Sequence, residues 1–361
     1  MEDIKLLKGN EALAIGAIRC GCDGYFGYPI TPQSEVIETL MEERPWETTG
    51  MVVLQAESET ASINMVYGGA ASGKKVMTTS SSPGISLMCE GISYIAAAEL
   101  PCVLVDVARG GPGLGTIQAS QSDYYQVVVG GGHGGYKLLV LAPNSVQEMY
   151  DFVDLGFELA FKYLTPVMIL TDGVIGQMME KVKLSPVKAR LTEEQVKALC
   201  DSWAATGKTP GRKQNVISSV YLDSEILENH NKKLLAKYEA IAANEVRYEA
   251  TQVEDADYVL VAYGTSSRIC AKVVEDARAD GLRVGLIRPV TLFPFPNDFI
   301  SQTAKHCKAM LCVEMSTGQM VDDVRLAVNG VTRVEHFGRF GGMVHSPTEV
   351  YGALKELIKN C

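Results

Sequence analysis

Three apolar runs in the first third of the chain, Tyr25-Phe26-Gly27-Tyr28, Met51-Val52-Val53-Leu54 and Cys102-Val103-Leu104-Val105-Asp106-Val107, each break off into a loop rich in polar side chains or glycine. Helix-like stretches lie between them. Short apolar runs bounded by turn signals read as buried strands. Strands that alternate with helices predict a mostly parallel sheet covered on both faces, an α/β fold. In such sheets ligands gather outside the carboxyl ends of the strands. The three loops that follow the runs are therefore where chemistry is to be sought.

The first loop contains Thr31-Pro32. Thr as N-cap with Pro at the first helical position is a favoured helix opening. It would leave free N–H groups and a hydroxyl at a strand end, where an anion can be held; the plainer reading is that Thr31 only caps. The second loop is Gln55-Ala56-Glu57-Ser58-Glu59, and a helix opening close to Ser58 is expected from the spacing of Thr60 to Tyr67. A carboxylate at that position is either ordinary compensation of the helix dipole or a functional acid. The third loop begins with Arg109, whose planar fork suits a carboxylate, although an Arg before glycines also makes a plain surface turn. Its glycines permit close backbone approach and positive φ, and Leu114 adds an apolar surface.

With 361 residues, 47% hydrophobic and 21% charged, the chain has core enough for two or so domains. A net charge of −10 without a Lys/Arg cluster argues against nucleic acid as a partner. Met1-Glu2-Asp3-Ile4-Lys5 lacks the shape of a signal peptide. The longest apolar stretch, Ile92 to Ala108, is interrupted by Glu99, Pro101 and Asp106, so no membrane span is expected. The nine cysteines are scattered, with no CxxC; no zinc or iron–sulfur spacing is present, and no metal ligand is assigned. Reduced thiols and a cytoplasmic location are expected.

The chain divides into residues 1–184, a linker with helical segments at 185–250, and a second α/β unit at 251–361. In the first, Ser145-Val146-Gln147-Glu148 reads as a capping box, opening a helix with Met149, Phe152, Val153, Gly156, Phe157 and Ala160 on one face, and Val167 to Thr171 returns as a strand. In the linker, Thr206 to Arg212 reads as a loop. Its Gly207-Lys208-Thr209 resembles the end of a phosphate loop, but Ser202 stands where that motif needs its first glycine. In the second unit Tyr258–Ala262, Arg283–Ile287, Met310–Val313 and Thr332–His336 read as strands, and Ser346 to Lys359 as a closing helix.

In this order, Gly27-Tyr28-Pro29-Ile30-Thr31-Pro32-Gln33-Ser34-Glu35, Gln55 to Glu59, and Ala108-Arg109-Gly110-Gly111-Pro112-Gly113, with Arg288 to Pro296 in the second unit, resemble the α subunit of the 2-oxoacid:ferredoxin oxidoreductases. The similarity covers nearly the whole chain and is greatest to the branched-chain, 2-oxoisovalerate type. It implies a thiamine-diphosphate pyrimidine-type domain followed by a transketolase C-terminal-like domain. Counted back from Gly68 to Gly73, Glu59 matches the glutamate that activates the cofactor at N1′ of its aminopyrimidine, with Glu57 as the alternative. Pro29 and Ile30 are assigned to the same cofactor, and Thr31 and Arg109 to the substrate carboxylate.

Thiamine enzymes bind Mg²⁺ and the diphosphate through Gly-Asp-Gly followed by Asn. Here Asp23-Gly24, Asp172-Gly173 and Asp280-Gly281 all lack the first glycine. The resemblance therefore implies a cofactor shared with a diphosphate-binding β subunit that carries the Mg²⁺. It also implies a γ subunit and a ferredoxin-like δ subunit with 4Fe–4S clusters, or fusions of these. The implied reaction is oxidative decarboxylation of a 2-oxoacid, with the acyl group passed to coenzyme A and electrons to ferredoxin. A 2-oxoglutarate-specific chain and a non-catalytic scaffold subunit are the alternatives.

Overall fold

A computed structural model describes residues 3–208 and 210–361. Met1 and Glu2, part of the start expected to lack a signal peptide, and Thr209, within the expected loop at 206–212, lie outside them. In chain order the first unit holds β1 (Ile4–Lys8), α1 (Gly9–Arg19), β2 (Gly24–Gly27), α2 (Ser34–Glu43), α3 (Pro45–Thr48) and β3 (Val52–Gln55). It continues with α4 (Glu59–Ala71), β4 (Val76–Ser80), α5 (Ser82–Ala97), β5 (Cys102–Ala108) and a π-helical turn at Tyr125–Val129. Then come β6 (Leu139–Leu141), α6 (Val146–Tyr163), β7 (Pro166–Asp172), α7 (Gly173–Gln177) and β8 (Met179–Lys183).

These strands build a seven-stranded sheet in the order β12-β6-β7-β5-β4-β2-β3 and a small antiparallel β1–β8 pair. Six of the seven are parallel. The central strands β5 and β7 are buried along their full length, as strands covered on both faces must be. α6 buries the apolar face expected of it, and Gly156 lets it lie against the sheet, where an added Cβ would come within 3.1 Å of Val103. The cap differs from expectation in one arm. Ser145 accepts from the Glu148 N–H, but the Glu148 carboxylate accepts from Asn144 N–H and pairs with Arg288.

The stretch read as a linker with helical segments holds two longer helices. α8 (Glu193–Cys200) and α9 (Ser224–Asn244) are capped by Thr192 and Asp223, and α9 puts Leu234, Tyr238 and Ile241 into the core of the first unit. Beyond it lie β9 (Tyr248–Thr251), β10 (Tyr258–Val261), α10 (Gly264–Ala279), β11 (Val284–Pro289), β12 (Thr291–Phe293), α11 (Asn297–Ala304), β13 (Ala309–Glu314), α12 (Met320–Val328), β14 (Arg333–Gly338) and α13 (Pro347–Lys359). The second sheet runs β14-β13-β10-β11-β9, with only β9 antiparallel. β12 leaves this unit and pairs antiparallel with β6, so it completes the edge of the first sheet. One buried apolar cluster runs from Ile63, Leu104 and Met168 through to Val259, Ile287 and Met310. Buried Arg288 ties the units again, reaching Glu148, Glu249 and the Ala142 carbonyl.

The chain reverses direction across the first sheet beside β2. It passes from β2 to β3 on one side, then returns over β2 to β4 on the other. That reversal opens a crevice at the carboxyl ends of β2 and β4, the usual ligand position in open α/β sheets.

Candidate active site

α5 begins at this crevice, and its first turn organises the surrounding side chains. On one flank is Glu59, the first residue of α4, whose N-cap Ser58 accepts from Ala61 N–H at 3.1 Å. Glu59 is only 5% exposed, and its carboxylate has no hydrogen-bond or ion-pair partner among the described residues. It rests against Gly84, where an added Cβ would lie 2.7 Å from Glu59 Oε1 and 2.1 Å from Ser80 Oγ. Glu57, two residues earlier, is exposed.

At the end of β4 the hydroxyls of Thr78, Ser80 and Ser81 are buried and make no hydrogen bond among the described residues. Buried polar atoms are nearly always partnered, so the hydroxyls of this row, with Ser80 Oγ next to the Glu59 carboxylate at Gly84, are suited to a polar ligand. The remaining hydroxyl of the row, Thr79, faces the other side of the sheet and binds Tyr25 and Gln33.

Arg109 follows β5 on the opposite flank of α5 and is 6% exposed. Its Nη1 donates to the Thr31 carbonyl at 2.8 Å and its Nη2 to the Leu114 carbonyl at 3.0 Å, while Nε is buried without a partner. Five N–H donors with two engaged leave three for an anion. The loop closes on itself through Gly110 N–H to Gln118 O and Thr116 N–H to Gly110 O, both 2.8 Å. Gly115, at φ +59°, could not be replaced without meeting the Gly110 carbonyl at 1.8 Å. Leu114, 81% exposed, stands at the tip.

Thr31 and Arg109 are thus brought together, but not by helix capping. α2 starts at Ser34 with Gln33 as N-cap. The Pro32 carbonyl is taken by Asn10 and Gln177 side chains, and Gln33 turns inward to Tyr28 O and Thr79. Thr31 itself is exposed, and its hydroxyl has no partner among the described residues. Pro29 and Ile30 are half-buried in the same β2–α2 connection, on the far side of Thr31 from α2.

Two acids of this cluster, Asp106 and Asp123, were assigned no role from the sequence, and Ser82 joins them. Ser82 donates to the Asp123 carboxylate, accepts from Arg109 N–H at 3.0 Å and lies 3.2 Å from the Arg109 carbonyl. Asp106, fully buried at the end of β5, accepts from Ser82 N–H at 3.2 Å. Burial, and then the neighbouring Asp123, push the Asp106 carboxyl well above its ordinary range. Asp123 is raised too by burial, but Ser82, Asp106 and Arg109 pull it back. The two acids oppose each other's ionisation, and the push towards the neutral form is the stronger at Asp106. Asp106 was visible as an acid inside an apolar run; Asp123 carried no periodic or motif signal.

Among the described residues no helix is long and apolar enough to cross a membrane, and no three His, Cys, Asp or Glu converge to hold a metal.

The sequence family described as "Pyruvate flavodoxin/ferredoxin oxidoreductase, thiamine diP-bdg" matches residues 15–249, and "Pyruvate:ferredoxin oxidoreductase core domain II" matches residues 256–350. The ketoisovalerate oxidoreductase subunit VorB of Methanothermobacter marburgensis is 50% identical over 98% of this chain and 97% of its own length. Its namesake from Methanothermobacter thermautotrophicus is 51% identical over the same shares. The 2-oxoglutarate synthase subunit KorA of M. marburgensis is 35% identical over 97% of this chain and 98% of its own. Among solved structures, a 2-oxoglutarate:ferredoxin oxidoreductase from Magnetococcus marinus with 2-oxoglutarate, coenzyme A and succinyl-CoA bound superposes with a TM-score of 0.87 at 26% identity. That match covers 98% of this chain, which spans 65% of the other. A split gene transketolase, an inactive beta4 tetramer, gives 0.59 at 11% identity, a likeness of fold alone.

Proposed function

This chain belongs to the pyruvate flavodoxin/ferredoxin oxidoreductase family and is a 2-oxoacid:ferredoxin oxidoreductase subunit, and from that premise we propose that it supplies the pyrimidine half of a thiamine diphosphate site and the anchor for a branched-chain 2-oxoacid. The observation that carries the proposal is the buried, unpartnered Glu59 carboxylate against Gly84, on the same helix turn whose other flank holds Arg109.

The residues fit the cofactor. An aminopyrimidine offers a ring nitrogen and an amino group, and the site offers a carboxyl group and three buried hydroxyls without partners. Bound here, thiamine diphosphate supplies the carbon nucleophile and the electron sink for decarboxylation. Glu59 holds a proton at ring atom N1′ and so acts on the cofactor, not on the substrate. Arg109 and the Thr31 hydroxyl hold the substrate carboxylate and fix its orientation, an entropic contribution to rate. Leu114 walls the same loop, and Gly110 to Thr116 carries no cation for a second carboxylate. That composition, and the greater likeness to ketoisovalerate oxidoreductase than to 2-oxoglutarate synthase subunits, favour 2-oxoisovalerate and its homologues.

The partners follow from what these residues do not provide. A β subunit holds the diphosphate and Mg²⁺, and γ and ferredoxin-like δ subunits, or fusions of them, complete coenzyme A binding and carry 4Fe–4S clusters to ferredoxin. Exposed Met65 and Leu87, one or two turns along α4 and α5 from Glu59, support coverage of this face by the β subunit. Nine unpaired cysteines support a cytoplasmic complex.

The test is Glu59→Gln in the assembled complex under anaerobic conditions. Loss of a catalytic acid–base group costs about 10²- to 10⁴-fold. Exchange of the cofactor C2 proton and 2-oxoisovalerate-dependent dye reduction should both fall by that order, with assembly intact. Activity within a few-fold of wild type would return the assignment to Glu57 or to a scaffold role. A kcat/KM that favours 2-oxoglutarate over 2-oxoisovalerate would sink the substrate reading alone.

A further inference from the structure

Ser82 stands at the first position of α5, where a serine ordinarily serves its own helix. The N-cap Ser81 makes no side-chain cap bond, and the Ser82 hydroxyl turns away from the helix to a residue 27 positions on. It accepts from Arg109 N–H and donates to Asp123, so both ends of its dipole are engaged. Asp123 is thereby linked to the backbone of Arg109 and is also close enough to the guanidinium for the positive charge to draw its carboxyl down.

Asp123 is in turn held from the second unit. Two residues before it, Gln121 is buried and bonded at both ends of its amide. Its Nε2 donates to Tyr263 O at 2.9 Å, its Oε1 accepts from Ser266 Oγ at 2.6 Å and from Met315 N–H at 2.8 Å, and its own N–H reaches Met315 O at 2.9 Å. Two residues after Asp123, Tyr125 N–H donates to Gln319 Oε1 at 2.9 Å. The segment Gln121–Tyr125 is pinned to the carboxyl ends of β10 and β13.

We infer that Ser82 and Asp123 are positioning residues for Arg109, and that through Gln121 the second α/β unit sets where the substrate carboxylate is held. The inference rests on the reading of Arg109 as the carboxylate anchor. Gln121 locks the strut, Asp123 and Ser82 transmit its position to the Arg109 backbone, and the Thr31 and Leu114 carbonyls then hold the guanidinium in plane. Asp123 also gives Arg109 one countercharge.

The experiment uses the assembled complex and two readouts, KM for 2-oxoisovalerate and exchange of the cofactor C2 proton, which needs no substrate. Ser82→Ala, at a helix position that accepts alanine, and Asp123→Asn should each raise KM roughly tenfold or more, the size expected for one lost hydrogen bond to a charged system. Proton exchange should stay within a few-fold. Each variant combined with Arg109→Lys should add little to the KM of Arg109→Lys alone. If Arg109→Lys raises KM while Ser82→Ala does not, the positioning role is wrong and the anchor stands. If Arg109→Lys leaves KM unchanged, the anchor itself is misassigned. If Ser82→Ala slows proton exchange as much as it raises KM, the cluster serves general structure, which also overturns the inference. Should Asp123→Asn fail to assemble, Ser82→Ala decides the matter.

Discussion

At the scale of single residues, Asp106 carries the sharpest consequence. It is buried, accepts from Ser82 N–H, and has its carboxyl pushed well above the ordinary range by burial and then by Asp123. Asparagine presents the same acceptor and a donor where the acid has its O–H, so Asp106→Asn should leave KM and stability near wild type. Asp106→Ala strands the Ser82 N–H and should cost about 1–3 kcal/mol. The sign of the pH effect follows from the raised carboxyl. The folded chain keeps a proton that the unfolded chain has lost, so wild-type stability falls as pH climbs from the ordinary carboxyl range towards the raised one. Asp106→Asn should flatten that fall without abolishing it, because Asp123 is raised as well; thermal unfolding midpoints of both proteins across this range measure it. Of the candidate residues, Glu59, Arg109 and Thr31 each stand where an apolar run gives way to a loop, and the family resemblance singled them out. Thr31 was found by the wrong local reason, since the Pro32 carbonyl is diverted to Asn10 and Gln177 and the helix begins later. Asp123 was not legible. Its meaning depends on a contact with Ser82 across 41 residues, which no local pattern announces.

At the scale of elements, α5 is the part on which the site turns. Gly84 is required by close approach: a methyl group there meets Ser80 Oγ and Glu59 Oε1. Glu59 Cγ would also lie 2.9 Å from that methyl, so the Ser80 and Glu59 side chains must both turn, and Gly84→Ala should displace the carboxylate at a small cost in stability. Expected are an unfolding midpoint close to wild type and a fall of about tenfold or more in C2 proton exchange; normal exchange with a lowered midpoint would mean that the glycine serves packing instead. Strands such as β5 and β7 were readable because burial on both faces makes them continuous apolar runs. β12 was not, because three residues among prolines have no period to read, and its neighbours Arg288 to Pro296 were taken as part of the second unit. The 185–250 stretch reads as a linker because α8 and α9 are largely exposed; Leu234, Tyr238 and Ile241 of α9 are buried against the first unit.

At the scale of the whole molecule, the two α/β units share a core, a buried arginine and a strand. Truncation after residue 250 removes β12, exposes β6 as a bare edge and uncovers Val259- and Ile287-facing apolar surface. Open edges and uncovered apolar faces promote association. Residues 1–250 alone should therefore form aggregates that light scattering detects under conditions where residues 1–361 stay dispersed; a monodisperse fragment would show that the first sheet closes without its last strand. The borrowed strand also fixes an order of events during synthesis. The β6 edge emerges from the ribosome long before Thr291–Phe293 can reach it, so the nascent chain must carry an unfinished sheet through the making of the whole helical layer and half of the second unit. Completion of the first unit is thus a late event in translation, and a premature stop anywhere before residue 293 yields no intact half of this protein.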